Sequence, residues 1–291
     1  MKEPIIYING IFFPLSQAKI SILDRGFCYG DGLFETIRVN HGKIFRLEQH
    51  INRLLGSLEQ ILIELPMTRL ELMRAVQETL DRNKFKNAII RLAVTRGITH
   101  SNIQIDPAIP PTLVINIYPF TPPRKVIYKK GIQIKLFQER ANLINGTTNR
   151  LKSCNYLSNI LVKNLSERNN FMEGVIVDPD FGVTEGTTSN IFLVKNGFLK
   201  TPPISQYVLA GITRQVVLDI AKEHKIPFME DPITENELIN ADEVFITNSG
   251  IEIVPVTQID SQYIGNKKPG ILTEFFHAEF LKCVEAEKDP C

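Results

Sequence analysis

The sequence predicts an α+β protein of two domains. Its 291 residues exceed the usual length of one domain. Runs with the period of an amphipathic helix alternate with short apolar runs bounded by Gly, Pro and Asn, a pattern typical of mixed helices and strands. A proline-rich segment at 119–123 interrupts these runs, and proline cannot continue a β-ladder. We therefore predict a small N-terminal domain, 1–120, and a larger C-terminal domain, 121–291.

Turn signals and periodicity locate the elements of the first domain. A hairpin is predicted where Asn9-Gly10 separates the apolar runs IIYI and IFF. A strand, LFETIRV, follows YGDG. Between Leu47 and Ile61, apolar residues recur with the i, i+4, i+7 and i+8 spacing of an amphipathic helix. A second helix is predicted over about 70–83, followed by strands in NAIIRLAVTRG and PTLVINIYPF.

The second domain shows the same mixture. Two strands, GIQIKLF and GVIVD, flank a helix predicted over about 155–167. The run VTEGTTSNIFLVKNGFLKTPP predicts two strands joined by an Asn196-Gly197 turn. A helix, ITRQVVLDIAKEH, and the strands EVFITNS and EIVPV complete the domain.

Charge and composition exclude several classes of function. The 33 basic and 32 acidic side chains leave a net charge of +1, too small to attract nucleic acid or an anionic membrane. No apolar run reaches the roughly 20 residues of a membrane helix. The four cysteines form no CxxC pair, so we expect no metal site. The cytoplasm is the expected compartment.

Three sites in the sequence, four residues in all, could carry chemistry on their own. The backbone N–H groups of Ile212 and Thr213 lie where a helix is predicted to start, which favours a phosphate, although Thr213 could equally be a helix cap. Lys152 would become a nucleophile in a desolvated pocket, but most lysines are solvated charges. Glu185 lies between apolar neighbours on a strand, where a carboxylate needs a partner such as a cationic ring nitrogen.

Six motifs occur in an order that resembles one enzyme family. They are YGDGLFETIRV, HINRL, a lone lysine, EGTTSN, LAGITR and NSGIEIVPV, and they extend from about Tyr7 to Val256. This order resembles the class IV (fold type IV) pyridoxal-phosphate (PLP) aminotransferases, which include branched-chain aminotransferase, D-amino acid aminotransferase and 4-amino-4-deoxychorismate lyase. The resemblance implies PLP as cofactor and a large domain with a β-barrel-like sheet core.

The resemblance assigns roles to individual residues. Lys152 matches the lysine that bonds to the cofactor and moves the substrate proton. Glu185 matches the carboxylate that keeps the pyridine nitrogen protonated, and Leu209 matches the residue packed on the ring. The residues that match phosphate ligands are Arg53, Ile212, Thr213 and Ser249.

Tyr156 has two interpretations. It matches the tyrosine that hydrogen-bonds the cofactor phenolate in branched-chain aminotransferases. Those enzymes have one more residue between the lysine and the tyrosine, whereas the spacing from Lys152 to Asn155 is similar to that of the D-amino acid and lyase members. Tyr156 could instead be a partly buried structural tyrosine.

A substrate carboxylate requires a cationic site, and arginine suits it best. The candidates are Arg91, Arg25, Arg38 and Arg96. Arg91 matches an arginine of the branched-chain enzymes, but Ile89 stands where they have tyrosine. The RxH pair of the D-amino acid enzymes is not evident, although His100 is nearby. Each arginine could also be a structural ion-pair partner.

The resemblance further implies a homodimer with composite active sites. The segment 25–34 matches the region of relatives that closes the partner's site, so Arg25 or Arg38 could act in trans with Arg91. Phe34 and Gly250 complete the predicted substrate-binding residues.

The predicted reaction moves an amino group from a D-amino acid or branched-chain amino acid to a 2-oxo acid such as 2-oxoglutarate or pyruvate. One alternative is 4-amino-4-deoxychorismate lyase activity, which releases pyruvate and 4-aminobenzoate and uses the same cofactor residues. A remote alternative is a non-catalytic protein that binds a phosphate ligand. The sequence does not determine the substrate or its enantiomer.

Overall fold

The computed structural model describes residues 3–99, 103–139, 147 and 150–287. They form two compact units. The first comprises the described parts of 1–121, 151–155 and 287–291, and the second those of 122–150 and 156–286. The segment 151–155, which the sequence prediction placed in the C-terminal domain, packs with the first unit. The domain limits 1–120 and 121–291 remain a prediction from the sequence.

The first unit is built on one six-stranded sheet with the strand order β2-β1-β6-β5-β3-β4. Its described strands are β1 (Ile5–Ile8), β2 (Ile11–Pro14), β3 (Gly32–Asn40), β4 (Lys43–Ile44), β5 (Ala88–Thr95) and β6 (Thr112–Pro119). Its described helices are a 3₁₀ turn (Leu15–Gln17), α1 (Arg25–Tyr29), α2 (Leu47–Gln60) and α3 (Arg69–Asn83). All the strand pairs are antiparallel.

Local signals account for these elements. Asn9 and Gly10 have φ values of 46° and 92°, the positive values that a two-residue hairpin turn requires, and the predicted β1–β2 hairpin is confirmed. The predicted stripe is the buried face of α2, which packs against β3. Helix α3 begins with a capping box, in which Thr68 and Glu71 satisfy each other's backbone N–H groups.

The two faces of the first sheet differ in burial. In β5 and β6 the side chains of one face are buried, whereas most on the other face are half-buried or exposed. Residues directly opposite each other in an antiparallel pair point to the same face. Arg91 lies opposite Thr36 of β3, and Phe34 lies opposite Ala93. Phe34, Thr36 and Arg91 therefore share the second face, which we call the open face.

The second unit contains a nine-stranded mixed sheet. Its described strands are β7 (Ile132–Gln138), β8 (Glu173–Asp178), β9 (Gly182–Gly186), β10 (Asn190–Lys195), β11 (Phe198–Thr201), β12 (Phe228–Glu230), β13 (Glu243–Asn248), β14 (Glu252–Ile259) and β15 (Gln262–Tyr263). Its described helices are α4 (Val126–Lys130), α5 (Leu157–Arg168), α6 (Ile212–Glu223), α7 (Glu235–Ile239) and α8 (Ile271–Glu285).

The strand order in this sheet is β12-β11-β10-β13-β14-β7-β8-β9, with β15 paired to β14. The sheet curls into a half-barrel around an aliphatic core that includes Ile134, Val254 and Leu193. Phe192 and Phe245 stack with their ring centroids 4.9 Å apart. The predicted α+β fold with a barrel-like sheet in the larger part is confirmed.

The helices predicted over about 155–167 and in ITRQVVLDIAKEH are found as α5 and α6. Across residues 3–99, 103–139 and 150–287, no helix has both the length and the apolar character needed to cross a bilayer.

Candidate active site

Lys152 is held against strand β3 by two backbone hydrogen bonds. The Phe34 N–H donates to the Lys152 carbonyl at 2.9 Å, and the Cys154 N–H donates to the Gly32 carbonyl at 2.8 Å. The Lys152 ammonium nitrogen lies 4.7 Å from the centroid of the Phe34 ring. These contacts explain why residues 151–155 belong to the first unit, and they hold the predicted nucleophile against β3.

Arg91 lies on the same ring. Its guanidinium carbon is 3.1 Å from the Phe34 centroid, and Phe34 itself is only 2% exposed. The face of an aromatic ring attracts cations, most strongly where water is excluded. Phe34 therefore brings together the positive groups of Lys152 and Arg91, an arrangement that favours an anionic ligand. Three of the predicted residues thus form one cluster.

Arg38 also belongs to the open face, because it lies opposite Ile89. Its guanidinium carbon is 3.9 Å from the Phe120 centroid. Its Nε–H donates to the Val39 carbonyl at 3.3 Å. Arg38 and Arg91 are diagonal neighbours on this face, and their binding of a substrate carboxylate stays a prediction.

Arg25 and Arg96 converge on Asp31 instead. The Arg25 Nε donates to Asp31 at 2.7 Å and the Arg96 Nε at 2.9 Å. Arg25 also donates to the carbonyls of Ile103 and Gln104 at 3.2 and 3.3 Å. Burial alone would raise the pKa of Asp31, but hydrogen bonds and charge from the two arginines lower it. Both arginines thus have structural partners, and a role for Arg25 in trans stays a prediction. His100 lies outside the described residues.

Arg53 forms a bidentate ion pair with a buried carboxylate. Its Nε–H donates to Glu35 Oε1 at 2.7 Å, and a terminal N–H donates to Oε2 at 2.5 Å. His50, one turn earlier on α2, donates its Nδ1–H to Glu35 Oε2 at 2.7 Å. A carboxylate only accepts, so the Nδ1 tautomer follows. The arginine predicted to bind phosphate is therefore oriented by Glu35.

The pKa values of two buried groups in this cluster, Glu35 and His50, are both lowered. Burial would raise the pKa of Glu35, but the charge of Arg53 and the hydrogen bond from His50 hold it well below its ordinary value. Burial is also the largest effect on His50 and lowers its pKa, and the positive charges of Arg53 and Lys152 lower it further. Near neutral pH, Glu35 is ionised and His50 is neutral.

In the second unit, three donors surround the carboxylate of Glu185 on β9. Its Oε1 accepts the Nε–H of Arg150 at 2.6 Å. Its Oε2 accepts the backbone N–H of Leu209 at 2.8 Å and the side-chain amide of Asn190 at 3.4 Å. Leu209 thus contacts Glu185 through its backbone. These donors orient both oxygens of the carboxylate, as a partner for a cationic ring nitrogen requires.

The first turn of α6 has the character of an anion site. Its N-cap is Gly211, and no side chain caps the helix. Thr213, 3% exposed, lies inside the helix, so the alternative that Thr213 is the cap is wrong. The first N–H groups of a helix lack intrahelical partners and carry its positive dipole end. A side chain at position 211 would collide with Asn190, because a Cβ there would overlap its amide oxygen.

A buried hydroxyl lies near the same helix start. Thr247 lies opposite Asn190 in the β10–β13 ladder, so both side chains share a face. Asn190 donates to the Leu209 carbonyl at 2.9 Å and packs against Gly211. The Thr247 hydroxyl has no hydrogen-bond partner among the residues that the structure describes. A buried polar atom needs a hydrogen-bond partner. The Thr247 hydroxyl and the uncapped start of α6 together fit the phosphate of PLP.

The neighbouring turn between β13 and β14 carries Ser249 and Gly250. The Asn248 side-chain oxygen accepts the N–H groups of Gly250 and Ile251, both at 2.8 Å. This Asx turn fixes the backbone beside Ser249.

Tyr156 lies just before α5 and contacts the EGTTSN loop. Its hydroxyl donates to the Thr187 carbonyl at 3.0 Å, and Asn159 donates to the same oxygen at 2.7 Å. Buried Glu173 accepts the hydroxyls of Thr188 and Ser189 from the same loop. These bonds give Tyr156 a structural role, and its contact with the cofactor stays a prediction.

The sequence analysis missed several members of these clusters. Glu35 carried a usable signal, since it lies between apolar residues on a predicted strand, as Glu185 does. His50 precedes Arg53 by three residues and so shares its helix face. Arg150 and Thr247 carried no local signal, because their neighbours come from distant segments of the chain.

Comparisons with known proteins agree with this geometry. Residues 32–259 match the family model described as class IV amino-transferase. A protein of Methanocaldococcus jannaschii named for branched-chain-amino-acid aminotransferase activity is 40% identical over 275 residues, 94% of each chain. The D-alanine aminotransferase of Staphylococcus aureus is 34% identical over 289 residues, covering 97% of this chain and 98% of that protein.

The fold gives the same result. The crystal structure of the branched-chain amino acid aminotransferase of Escherichia coli matches with a TM-score of 0.90 at 27% identity, and covers 97% of this chain and 94% of that one. The family model spans more than half of the chain, and the predicted transaminase activity is confirmed. The chain belongs to the class IV aminotransferases.

Proposed function

We propose that this aminotransferase binds PLP through Lys152, Glu185 and the start of α6, and transfers the amino group of a branched-chain amino acid to a 2-oxo acid such as 2-oxoglutarate. Class IV aminotransferases are PLP-dependent. The observation that carries the proposal is the cluster on the Phe34 ring, which both the Lys152 amine and the Arg91 guanidinium contact. An amine that must react next to a substrate carboxylate needs this combination.

Each residue has a role in this proposal. PLP, when bound, supplies an electron-withdrawing ring that stabilises negative charge at the substrate α-carbon. Lys152 would hold the cofactor through its amine and, once the substrate amine has displaced it, would take the proton from the α-carbon. Glu185 would hold a proton at the ring nitrogen.

The phosphate and the pyridine ring have their own ligands. The phosphate would be bound by the N–H groups of Ile212 and Thr213, by the hydroxyls of Ser249 and Thr247, and by Arg53. Leu209 would pack on the ring, and Tyr156 would contact the phenolate oxygen.

The open face supports the substrate class. It carries the cations of Arg91 and Arg38 among the apolar side chains of Ile89, Ala93 and Val114. A carboxylate meets the cations, and an aliphatic side chain meets the apolar positions. The relative at 40% identity carries a branched-chain name, whereas the D-alanine enzymes match at 34% or less.

A homodimer is part of the same proposal. Large apolar side chains in the segment around α1 face solvent, with Ile22 77% and Phe27 70% exposed. Such a patch marks an interaction surface, and this segment matches the region that closes the partner's site in relatives. A cytoplasmic location also belongs to the proposal.

Two measurements test the proposal. The purified protein is reduced with borohydride and digested, and the phosphopyridoxyl label should map to Lys152 alone. Initial rates are then compared for the L- and D-forms of leucine, valine and alanine with 2-oxoglutarate, beside pyruvate release from aminodeoxychorismate.

We expect leucine and valine to be the best amino donors. A label on another lysine would overturn the assignment of Lys152. Faster reaction with D-alanine would refute the branched-chain preference. Pyruvate release from aminodeoxychorismate that outpaces amino transfer would establish the lyase alternative.

A further inference from the structure

Arg150 contacts the carboxylate that is assigned to the cofactor ring. Its Nε–H donates to Glu185 Oε1 at 2.6 Å, and the two side chains are 17% and 10% exposed. The backbone N–H of Arg150 donates to the Ser205 carbonyl at 2.8 Å, and this bond fixes the position of the arginine backbone. The other carboxylate oxygen accepts the Leu209 N–H at 2.8 Å. Glu185 is thus held at both oxygens, with a full positive charge at one of them.

A cation at one oxygen makes a carboxylate a weaker base. This matters when the carboxylate shares a proton with a ring nitrogen. The proton can lie on nitrogen, facing an ionised carboxylate, or on the carboxylate, facing a neutral ring. The two arrangements contain the same atoms and electrons and differ only in the position of one proton. A guanidinium on the far side of the carboxylate stabilises the first arrangement.

We propose that Arg150 is a positioning residue that keeps Glu185 ionised and oriented, so that the proton shared by Glu185 and the PLP ring lies on the ring nitrogen. The inference rests on the proposed binding of PLP. It gives Arg150 a function that acts through Glu185. It also accounts for the geometry of the pair, because the charge-assisted bond at Oε1 and the Leu209 bond at Oε2 together orient the carboxylate.

The test measures directly whether the ring nitrogen carries the proton. Holoenzyme is prepared with PLP labelled with ¹⁵N at the ring nitrogen, and the ¹⁵N resonance is recorded between about pH 6 and pH 9 for the wild type, Arg150→Gln and Arg150→Lys. Arg168→Gln is the matched control, because Arg168 is an exposed arginine at the end of α5. Glu185→Gln gives the reference ¹⁵N resonance for a ring nitrogen that has no carboxylate partner.

We expect the wild type, Arg168→Gln and Arg150→Lys to give the resonance of a protonated ring nitrogen. In Arg150→Gln the ratio of protonated to neutral nitrogen should fall by about tenfold or more, because a nearby opposite charge changes the proton affinity of a carboxylate by at least that factor. Arg150→Lys keeps the charge, so its recovery separates an electrostatic role from a merely structural one.

Two results would overturn the role of Arg150, and a third would refute the proposed function. An unchanged resonance in Arg150→Gln would overturn the role of Arg150. An equal shift in Arg150→Gln and Arg150→Lys would do the same, because the charge would then be irrelevant. A wild-type protein that retains no PLP would instead refute the proposed function, and that result is visible before any variant is made.

Discussion

Replacing Arg53 with alanine should destabilise the protein even when no cofactor is present. If Arg53 only bound phosphate, its removal would weaken cofactor binding and leave the folded apoprotein nearly unchanged. In the structure, however, Arg53 neutralises Glu35, and the two side chains are 13% and 1% exposed. Arg53→Ala leaves a buried carboxylate that keeps its hydrogen bond from His50 but loses its cation.

The magnitude follows from that burial. Breaking a buried ion pair by removing one partner costs about 3–5 kcal/mol, because the other charge stays desolvated. Protonation of Glu35 in the variant limits the loss, so we expect about 3 kcal/mol at pH 7. An exposed pair of the same type contributes only about 0.2–1 kcal/mol.

The assay is urea unfolding of the apoprotein, followed by titration of the refolded protein with PLP. Arg69→Ala is the matched control, because Arg69 pairs with Glu48 at 2.5 Å and both side chains are about half exposed, 47% and 53%. The control should lose less than about 1 kcal/mol. Arg53→Ala should lose both stability and cofactor affinity.

The pH dependence has a definite sign. Folding lowers the pKa of Glu35, so the pair stabilises the native state above the unfolded value, about 4.3 for glutamate. That contribution falls as the pH drops below this value towards the lower pKa of the folded state. The difference between the wild type and Arg53→Ala should therefore shrink as the pH falls below about 4.3. Equal stability at pH 7, or a difference that grows in acid, would refute the assignment of the ion pair.

Four further outcomes are expected. Lys152→Ala should bind PLP only noncovalently and lose turnover, as absorption spectra and steady-state rates would show; normal turnover would contradict its role. Glu185→Gln should fold and bind PLP but slow the single-turnover half-reaction with an amino acid, and a near-normal rate would argue against it. Thr247→Val should change apoprotein stability by less than about 1 kcal/mol, since it removes a hydroxyl without a described partner, yet weaken PLP binding; unchanged affinity in a titration would remove Thr247 from the phosphate ligands. Mixing inactive Lys152→Ala with inactive Arg25→Ala chains should restore part of the activity, and no recovery after verified subunit exchange would reject a trans role for Arg25.

Much of the fold was predictable because its signals are local. The Asn9-Gly10 turn and the stripe of α2 depend on residues close in sequence, and both predictions are confirmed. The assignment of residues 151–155 depends on hydrogen bonds to β3, more than 100 residues earlier. Neither composition nor hydrophobic periodicity indicates a pairing between segments so far apart in sequence. The proline-rich segment at 119–123 therefore could not predict that Lys152 packs with the first unit.

For the site residues, too, the local signals were predictable from the sequence and the long-range partners were not. A carboxylate between apolar neighbours on a strand must be paired, and this argument identified Glu185 from the sequence alone. Applied to Glu35 in LFETIRV, the same argument would have predicted a buried pair there as well. The partner cannot be read in this way, because Glu35 is paired with a residue 18 positions later, and Glu185 with one 35 positions earlier. Since several arginines could satisfy either carboxylate, only the fold decides that Arg53 pairs with Glu35 and that Arg150 pairs with Glu185, the carboxylate proposed to hold the cofactor ring.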